Sequence, residues 1–272
     1  MKTKIVAEIG INHNGSLKLA KDLIDAAKFA GCDYVKFQKR TPELCVPNHM
    51  KNEFRKTPWG EMSYLQYKKK IEFGKAEYDQ IASYCERSKI GMFLSVWDVP
   101  SLDFAASYSE IVKIPSSMIT DHVLMKASRA KSRTLMMSTG MSDESEIEEA
   151  VEVANPDVIF HTNSSYPSPI EELNLAYIGW LKEKHKGKSI GYSGHEFGLT
   201  TTFAAVVMGA EWIERHVTLD RTMWGSDQKC SVEPIGLIKL VKGIRDIESS
   251  IGKGGPRVAA PSELQKKEEL RK

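Results

Sequence analysis

The sequence has 272 residues, 41% of them hydrophobic and 27% charged, and a formal net charge of +2. It is long enough for one large barrel or two ordinary domains. Because the net charge is close to zero, we expect no nucleic-acid partner. No apolar stretch predicts a membrane span or a signal peptide, and the four cysteines form no CxxC pair, so we expect a cytoplasmic protein with reduced thiols and no membrane partner.

The N-terminal third begins as a strand, a helix and a second strand. The apolar runs at 4–10 and 34–38 predict strands, and the spacing of apolar residues over 17–30 predicts a helix that Gly31 ends. The polar stretch 39–74 contains three prolines and is expected to be a loop with at most one short helix. Loops of that length in compact domains usually serve function.

Strands and helices then alternate to the C-terminus. Six further strands are predicted at 91–95, 111–114, 134–138, 158–161, 189–193 and 212–216. The predicted helices are 75–88, 100–108, 122–130, 143–154, 174–186, 199–208 and 234–250.

Eight strands in alternation with helices predict an α/β protein with the (β/α)8 TIM-barrel fold over residues 1–252. A doubly wound open sheet is the alternative, which the missing glycine-rich phosphate motif after the first strand disfavours. Residues 253–272 are expected to be a C-terminal extension.

Two histidines stand at the ends of the last two predicted strands. His195 follows the run 189–193, and His216 closes the run 212–216. The carboxyl ends of neighbouring parallel strands meet at one rim, so both imidazoles are expected to share a divalent metal that keeps open positions for water and substrate. The alternative is a pair of histidines that are satisfied within the core.

Two lysines interrupt otherwise apolar strands. Lys36 and Lys113 must each be paired or face a polar cavity, and with the strand-end hydroxyls they predict a cage for a small anion of several charges. The alternative is a structural ion pair of one lysine with Glu8 or Glu214. Glu8 itself is either a counter-ion or a carboxylate that positions water or a sugar.

Seven motifs between residues 4 and 252 carry a family resemblance. They are Glu8-Ile-Gly-Ile-Asn12-His-Asn14-Gly, Val35-Lys36-Phe-Gln38, Lys113-Ile-Pro-Ser116, Ser138-Thr-Gly-Met141, Ser165-Tyr-Pro167, Gly191-Tyr-Ser-Gly-His195 and Glu214-Arg-His216. In order and spacing they are similar to the sialic acid synthase family. The resemblance implies a TIM barrel that condenses phosphoenolpyruvate (PEP) with an N-acyl amino sugar such as N-acetylmannosamine. The products would be a nonulosonic acid and phosphate. The resemblance also implies that the protein acts as a homo-oligomer, namely a dimer.

The resemblance also implies a role for each candidate residue. The residues implied to be catalytic are Glu8, Lys113, His195 and His216. The implied metal ligands are His195 and His216, with Mn²⁺ as the expected ion and Mg²⁺, Co²⁺ or Fe²⁺ as alternatives. PEP would be bound by Lys36, Lys113, Ser116, Ser164 and Ser193, and the sugar by Gln38, Tyr166 and Asp227.

The family pattern differs from this sequence at its C-terminal end. Members usually continue into a small antifreeze-like domain, from which the partner subunit lends an arginine to the sugar site. This sequence ends at Lys272, about where that domain begins. Three interpretations stay open: the stretch 39–74 completes the site, the acceptor is not N-acetylmannosamine, or the sequence is a shortened form.

Two other functions also stay open. One is the condensation of PEP with a different aldose, as in the deoxyoctulosonate and deoxyheptulosonate synthases, and the other is a non-catalytic scaffold in a surface-polysaccharide pathway. A phosphorylated acceptor would need an additional basic cluster, for which Lys39 with Arg40 is the only obvious pair in the sequence. This favours an unphosphorylated sugar.

Overall fold

The structure is a computed structural model that describes residues 2–271. Within that range the strands are β1 (Lys4–Gly10), β2 (Tyr34–Lys39), β3 (Phe54–Thr57), β4 (Gly60–Ser63), β5 (Gly91–Val96), β6 (Ile111–Ile114), β7 (Thr134–Ser138), β8 (Val158–Thr162), β9 (Ser189–Gly194) and β10 (Trp212–His216). Eight of them close into a parallel barrel in the order β1-β10-β9-β8-β7-β6-β5-β2. The predicted (β/α)8 barrel is confirmed.

Helices follow the barrel strands along the chain. They are α1 (Leu17–Ala30), α2 (Pro42–Cys45), α3 (Tyr64–Ile71), α4 (Lys75–Ser88), α5 (Val99–Ala105), α6 (His122–Lys131), α7 (Glu144–Ala154), α8 (Tyr177–Lys184), α9 (Thr200–Val207), α10 (Pro234–Ser250) and α11 (Pro261–Leu270). The main hydrophobic core lies between the strands and these helices. Helices α5, α8 and α9 are shorter than predicted, because terminal residues turn out of the helix, as at Asn174 with its φ of 44°.

Alternation along the strands positions the site. Side chains two residues apart on a strand point to the same face, so every second residue faces the barrel interior. A compact apolar layer of Val6, Phe93, Met136, Val158 and Phe160 packs there. Glu8 and Glu214 lie two residues beyond Val6 and Trp212, toward the carboxyl ends of the strands, and there the barrel interior becomes charged. The charged residues of the site therefore lie directly above the apolar layer.

The stretch 39–74 differs from its prediction as a loop with at most one short helix. It forms helix α2, the antiparallel hairpin β3–β4 and helix α3. Local chemistry explains this: Gly60 takes the φ of +102° at the hairpin turn, and Ser63 starts α3 with a capping box to Gln66. The segment therefore folds over the barrel rim, where Tyr67 and Ile71 pack against Ile11.

Residues 253–271 contain helix α11, whose residues are all exposed. Among the described residues, none of the helices is long and apolar enough to cross a membrane.

Candidate active site

A cavity of about 210 Å³ lies at the carboxyl ends of the barrel strands. Ten of the eleven predicted site residues line it: Glu8, Lys36, Gln38, Lys113, Ser116, Ser164, Tyr166, Ser193, His195 and His216. Asp227, the eleventh, lies beside the cavity, with its Oδ2 3.9 Å from Nδ1 of His216. Side chains from five barrel strands, and from the loops after β6, β8 and β9, therefore converge on one space.

Lys36 and Lys113 each form an ion pair, and each also lines this cavity. Nζ of Lys36 lies 2.9 Å from Oε2 of Glu8 and 3.5 Å from Oε1 of Glu214, and Nζ of Lys113 lies 2.9 Å from Oε2 of Glu214. The strand register explains the first of these pairs, since Glu8 stands opposite Lys36 on the neighbouring strand. Lys113 stands on β6, which does not neighbour β10, so it reaches Glu214 across the barrel interior. The two alternatives drawn from the sequence are thus both present: the lysines form ion pairs, and they line the cavity.

The protonation of this network follows from its charges. Burial alone would raise the pKa of Glu214, but Lys113 and Lys36 outweigh burial and lower it to about 2. Burial lowers the pKa of Lys113 to about 8, against the opposing effect of Glu214. Burial also acts to lower the pKa of Lys36, yet Glu214 and Glu8 together raise it above its ordinary value. Lys36 is thus the permanent cation, and Lys113 is the one closest to losing its proton.

The two histidine rings lie side by side, with centroids 5.4 Å apart. Nδ1 of His195 donates to the backbone oxygen of Asn163 at 2.6 Å, which leaves Nε2 with its lone pair free. Burial, and then the neighbouring His216, lowers the pKa of His195 to about 3, so the ring is neutral. Nδ1 of His216 is buried without a hydrogen-bond partner among the described residues.

This donor set fits a divalent cation. Neutral imidazole nitrogens bind Mn²⁺, Fe²⁺, Co²⁺ and Zn²⁺, and His195, with its free Nε2, and His216, with its unpartnered Nδ1, both line one polar cavity. Within residues 2–271, no group of three or more His, Cys, Asp or Glu side chains is arranged to hold a metal. The protein would therefore supply two ligands and leave the other positions to water and substrate.

Three loops meet at Gly140. Its backbone N–H donates to Oγ of Ser116 at 3.0 Å. A Cβ at position 140 would lie 2.1 Å from Oγ of Ser164 and 2.9 Å from Oγ of Ser116. Only glycine lets both hydroxyls approach the backbone this closely, so Gly140 shapes the predicted PEP-binding wall. Gly140 lies within the motif Ser138-Thr-Gly-Met141, but nothing in the sequence distinguishes it as the residue that two serines approach.

Glu8 is held by the next strand. Nε2 of Gln38 donates to Oε1 of Glu8 at 3.1 Å, and the guanidinium of Arg40 donates to Oε1 of Gln38. The predicted basic pair of Lys39 with Arg40 does not form a cluster, because Lys39 points away and binds Glu72 at 2.7 Å. The basic neighbour that Arg40 does have is Lys68, which lines the adjoining cavity with it.

Two supporting features were missed from the sequence. Asn163, whose backbone oxygen orients His195, follows β8 and was not among the predicted site residues. Glu196 and Arg215 form a buried ion pair at 3.1 Å just outside the cavity, and both are at most 1% exposed. The available signal is that of Arg215, which stands between Glu214 and His216 on β10, so that strand alternation directs it to the opposite face.

The chain is similar to known proteins over most of its length. The profile of the NeuB family matches residues 23–255. The chain is similar to the N,N'-diacetyllegionaminic acid synthase of Campylobacter jejuni, with 36% identity over 263 residues, which cover 93% of this chain and 78% of that protein. It is also similar to the N-acetylneuraminate-9-phosphate synthase of Drosophila melanogaster, with 35% identity, covering 90% of this chain and 68% of that protein.

A solved structure shows the same likeness in three dimensions. The N-acetylneuraminic acid (sialic acid) synthetase of Leptospira borgpetersenii, in complex with citrate, superimposes with a TM-score of 0.87 at 33% identity. The match covers 100% of this chain and 93% of that chain. The resemblance inferred from the seven motifs is thereby confirmed.

Proposed function

The chain belongs to the NeuB family, and on that premise we propose that it is a nonulosonate synthase, which condenses PEP with an N-acyl amino sugar and releases phosphate. One observation carries the proposal: two buried ammonium groups and two adjacent imidazoles line a single cavity. The side chains concerned are Lys36, Lys113, His195 and His216.

PEP is the substrate that suits the lysine side of the cavity. Its carboxylate and phosphate carry several negative charges, and Lys36 and Lys113 would offset them while fixing the orientation of the molecule. The hydroxyls would complete the binding wall, those of Ser116 and Ser164 beside Gly140 and that of Ser193 beside Glu214. The backbone of Gly140, which the two loop serines approach closely, keeps that wall compact.

The acceptor sugar suits the histidine side. The side chains proposed to contact it are Gln38, Tyr166 and Asp227, of which Tyr166 stacks on His195 at 4.1 Å between ring centroids. A divalent cation at His195 and His216, for which we favour Mn²⁺ over Mg²⁺, Co²⁺ and Fe²⁺, would act as a Lewis acid toward the open-chain aldehyde oxygen.

The reaction then needs little movement of atoms. C3 of PEP attacks the aldehyde carbon and forms the new C–C bond, while positive charge develops at C2. Water adds at C2, and the tetrahedral intermediate loses phosphate as the C2–O bond breaks. Glu8, fixed between Lys36 and Gln38, would orient that water or a sugar hydroxyl and stabilise the developing charge.

Phosphate release with product masses tests the proposal. The protein is incubated with PEP, Mn²⁺ and, one at a time, N-acetylmannosamine, its 6-phosphate, and pentose and tetrose phosphates, with a no-acceptor control. We expect phosphate release coupled to a product with nine carbons in its chain. A product only from the pentose or tetrose phosphates would indicate the alternative condensation with a different aldose. Absence of both PEP binding and turnover would indicate the non-catalytic scaffold.

A further inference from the structure

A second cavity, of about 570 Å³, adjoins the active-site cavity described above, and Trp97 and Ser117 belong to the walls of both. We call it the distal pocket and define it by Arg40, Lys68, Trp97 and Ser117. Helices α2 and α3, from the segment that folds over the barrel rim, supply much of its wall, including Lys68 on α3.

The distal pocket contains two buried cations. Lys68 is 7% exposed, and within residues 2–271 it forms no ion pair; the rings of Tyr64 and Tyr67 lie 5.2 and 5.1 Å from its Nζ. Burial, and then the charge of Arg40, lowers the pKa of Lys68 to about 8. A buried ammonium group without an ion pair is costly, which calls for a reason other than stability.

Unused donors accompany these charges. The guanidinium of Arg40 stacks on the ring of Trp97 at 4.1 Å, and its Nε is buried without an acceptor among the described residues. Nε1 of Trp97 is buried without an acceptor as well. Buried N–H groups are almost always hydrogen-bonded, so two unpaired donors in one pocket indicate a missing acceptor.

The acids in the same wall are already engaged. Asp98 accepts from the backbone N–H and the hydroxyl of Thr41 and from the backbone N–H of Ser101. Asp121 accepts from the backbone N–H of Leu124 at the start of α6. Both carboxylates cap chain segments, so they leave the donors of Arg40 and Lys68 for a ligand.

A line of hydrogen bonds joins this pocket to the reacting centre, since Arg40 donates to Gln38 and Gln38 donates to Glu8. Because Trp97 and Ser117 line both cavities, an open-chain sugar with its aldehyde at the histidines could extend its far end into the distal pocket. Arginine and lysine side by side are the usual partners of a phosphate group.

Resting on the proposed function, we propose that the distal pocket binds a phosphate group at the end of the acceptor away from its aldehyde. The acceptor is then a phosphorylated N-acyl amino sugar, in contrast to the unphosphorylated sugar favoured by the sequence. The sequence offered Lys39 as the partner of Arg40, whereas the fold brings Lys68 to that place.

The test compares N-acetylmannosamine with its 6-phosphate in steady-state assays at saturating PEP and fixed Mn²⁺. We expect kcat/KM of the wild-type protein for the phosphate ester to exceed that for the free sugar by at least about tenfold, as a charge-assisted contact provides. Lys68→Met should reduce this ratio by about tenfold, mainly through KM. The control is Lys69→Met, on the same helix but half-exposed and paired with Glu43, which should keep the wild-type ratio.

Equal kcat/KM values for the two sugars, or a preference for the free sugar, would overturn the phosphate assignment while leaving the proposed function intact. A wild-type ratio in a folded Lys68→Met protein would overturn it as well. Turnover of neither sugar would remove the proposed function and this inference with it. The wild-type comparison needs no variant, so it decides the matter even where Lys68→Met fails to fold.

Discussion

Each buried lysine of the reacting cavity has a carboxylate partner before any substrate binds. Glu214 accepts from Lys113 and lies within ion-pair distance of Lys36, while Glu8 holds Lys36 from the other side. Such pairing stabilises cations that burial would otherwise make costly. PEP, which carries several negative charges, then competes with Glu8 and Glu214 for the lysine ammonium groups. Removing one lysine therefore weakens PEP binding, and it also leaves the carboxylate paired with that lysine less neutralised.

Lys113→Met should weaken PEP binding by about 2–3 kcal/mol, because it removes one partner of a buried, hydrogen-bonded charge pair. Calorimetric titration with PEP measures this loss, and KM for the acceptor should change much less. Lys126→Met, at an exposed position on α6, serves as the matched control and should bind PEP as the wild type does. An unchanged PEP affinity in Lys113→Met would remove Lys113 from the binding wall.

The affinity for PEP should fall as the pH rises through about 8. The charged form of Lys113 is the one that attracts PEP, and burial lowers its pKa in the free protein to about 8. Below that pH the ammonium group is present; above it the proton must be taken up on binding, which costs affinity. Titrations in buffers of different ionisation enthalpy should show proton uptake above pH 8 in the wild type and much less in Lys113→Met. Equal uptake in both proteins would assign the proton to another group.

At the scale of elements, strand periodicity accounts for most of what the sequence predicted. Short apolar runs located the barrel strands, and the polar residue two places after an inward apolar residue had to share its face, as Glu214 does after Trp212. The hairpin β3–β4 was missed because both of its strands are largely exposed and polar, so no apolar pattern distinguishes it from a loop.

Lys68 was missed for a related reason. It begins a run of three consecutive lysines, which in sequence is typical of a solvated helix face. Only the docking of α3 on the barrel rim decides which lysine is buried, and that depends on tertiary contacts such as the packing of Tyr67 and Ile71 on Ile11. Ten predicted site residues came from strand ends, where position alone brings residues together, whereas the distal pocket needs an inserted helix.

The loop after β7 makes a prediction at this scale. Gly140→Ala would place a Cβ 2.1 Å from Oγ of Ser164, so the serine must rotate or the loop must shift. We expect kcat/KM for PEP to fall at least about tenfold, since misplacement of about 1 Å has effects of that size or larger. Gly179→Ala, at a helical position with open space, should leave activity unchanged and stability equal or slightly higher. A fully active Gly140→Ala protein would show that activity does not depend on the close approach of Ser116 and Ser164 to position 140.

At the scale of the whole molecule, β10, which joins β1 to β9 in the closed barrel, carries different charges on its two faces. Glu214 and His216 of β10 face the interior, while Arg215 between them faces outward and meets Glu196. Arg215 also donates to the hydroxyl of Thr202 and to the backbone oxygen of Gly198. This network holds the segment after His195 against β10 and so keeps the two histidines adjacent.

Arg215→Met should lower the free energy of unfolding by about 3–5 kcal/mol, because it leaves Glu196 as a buried charge without its cation. Denaturant unfolding measures the loss. Arg133→Met is the control: its side chain is 81% exposed and its ion pair with Glu110 spans 3.4 Å, so the expected loss is below about 1 kcal/mol. A wild-type unfolding free energy in Arg215→Met would show that the network contributes little to stability.

We propose that one cavity holds PEP and a divalent cation side by side, and Mn²⁺ tests this directly because it is paramagnetic. We expect substoichiometric Mn²⁺ to broaden the phosphorus resonance of PEP strongly in the presence of the wild-type protein, and much less with His195→Ala or His216→Ala, which should also lose turnover while remaining folded. If PEP binds and its line width with Mn²⁺ is the same for the wild type as for the histidine variants, the shared cavity is contradicted.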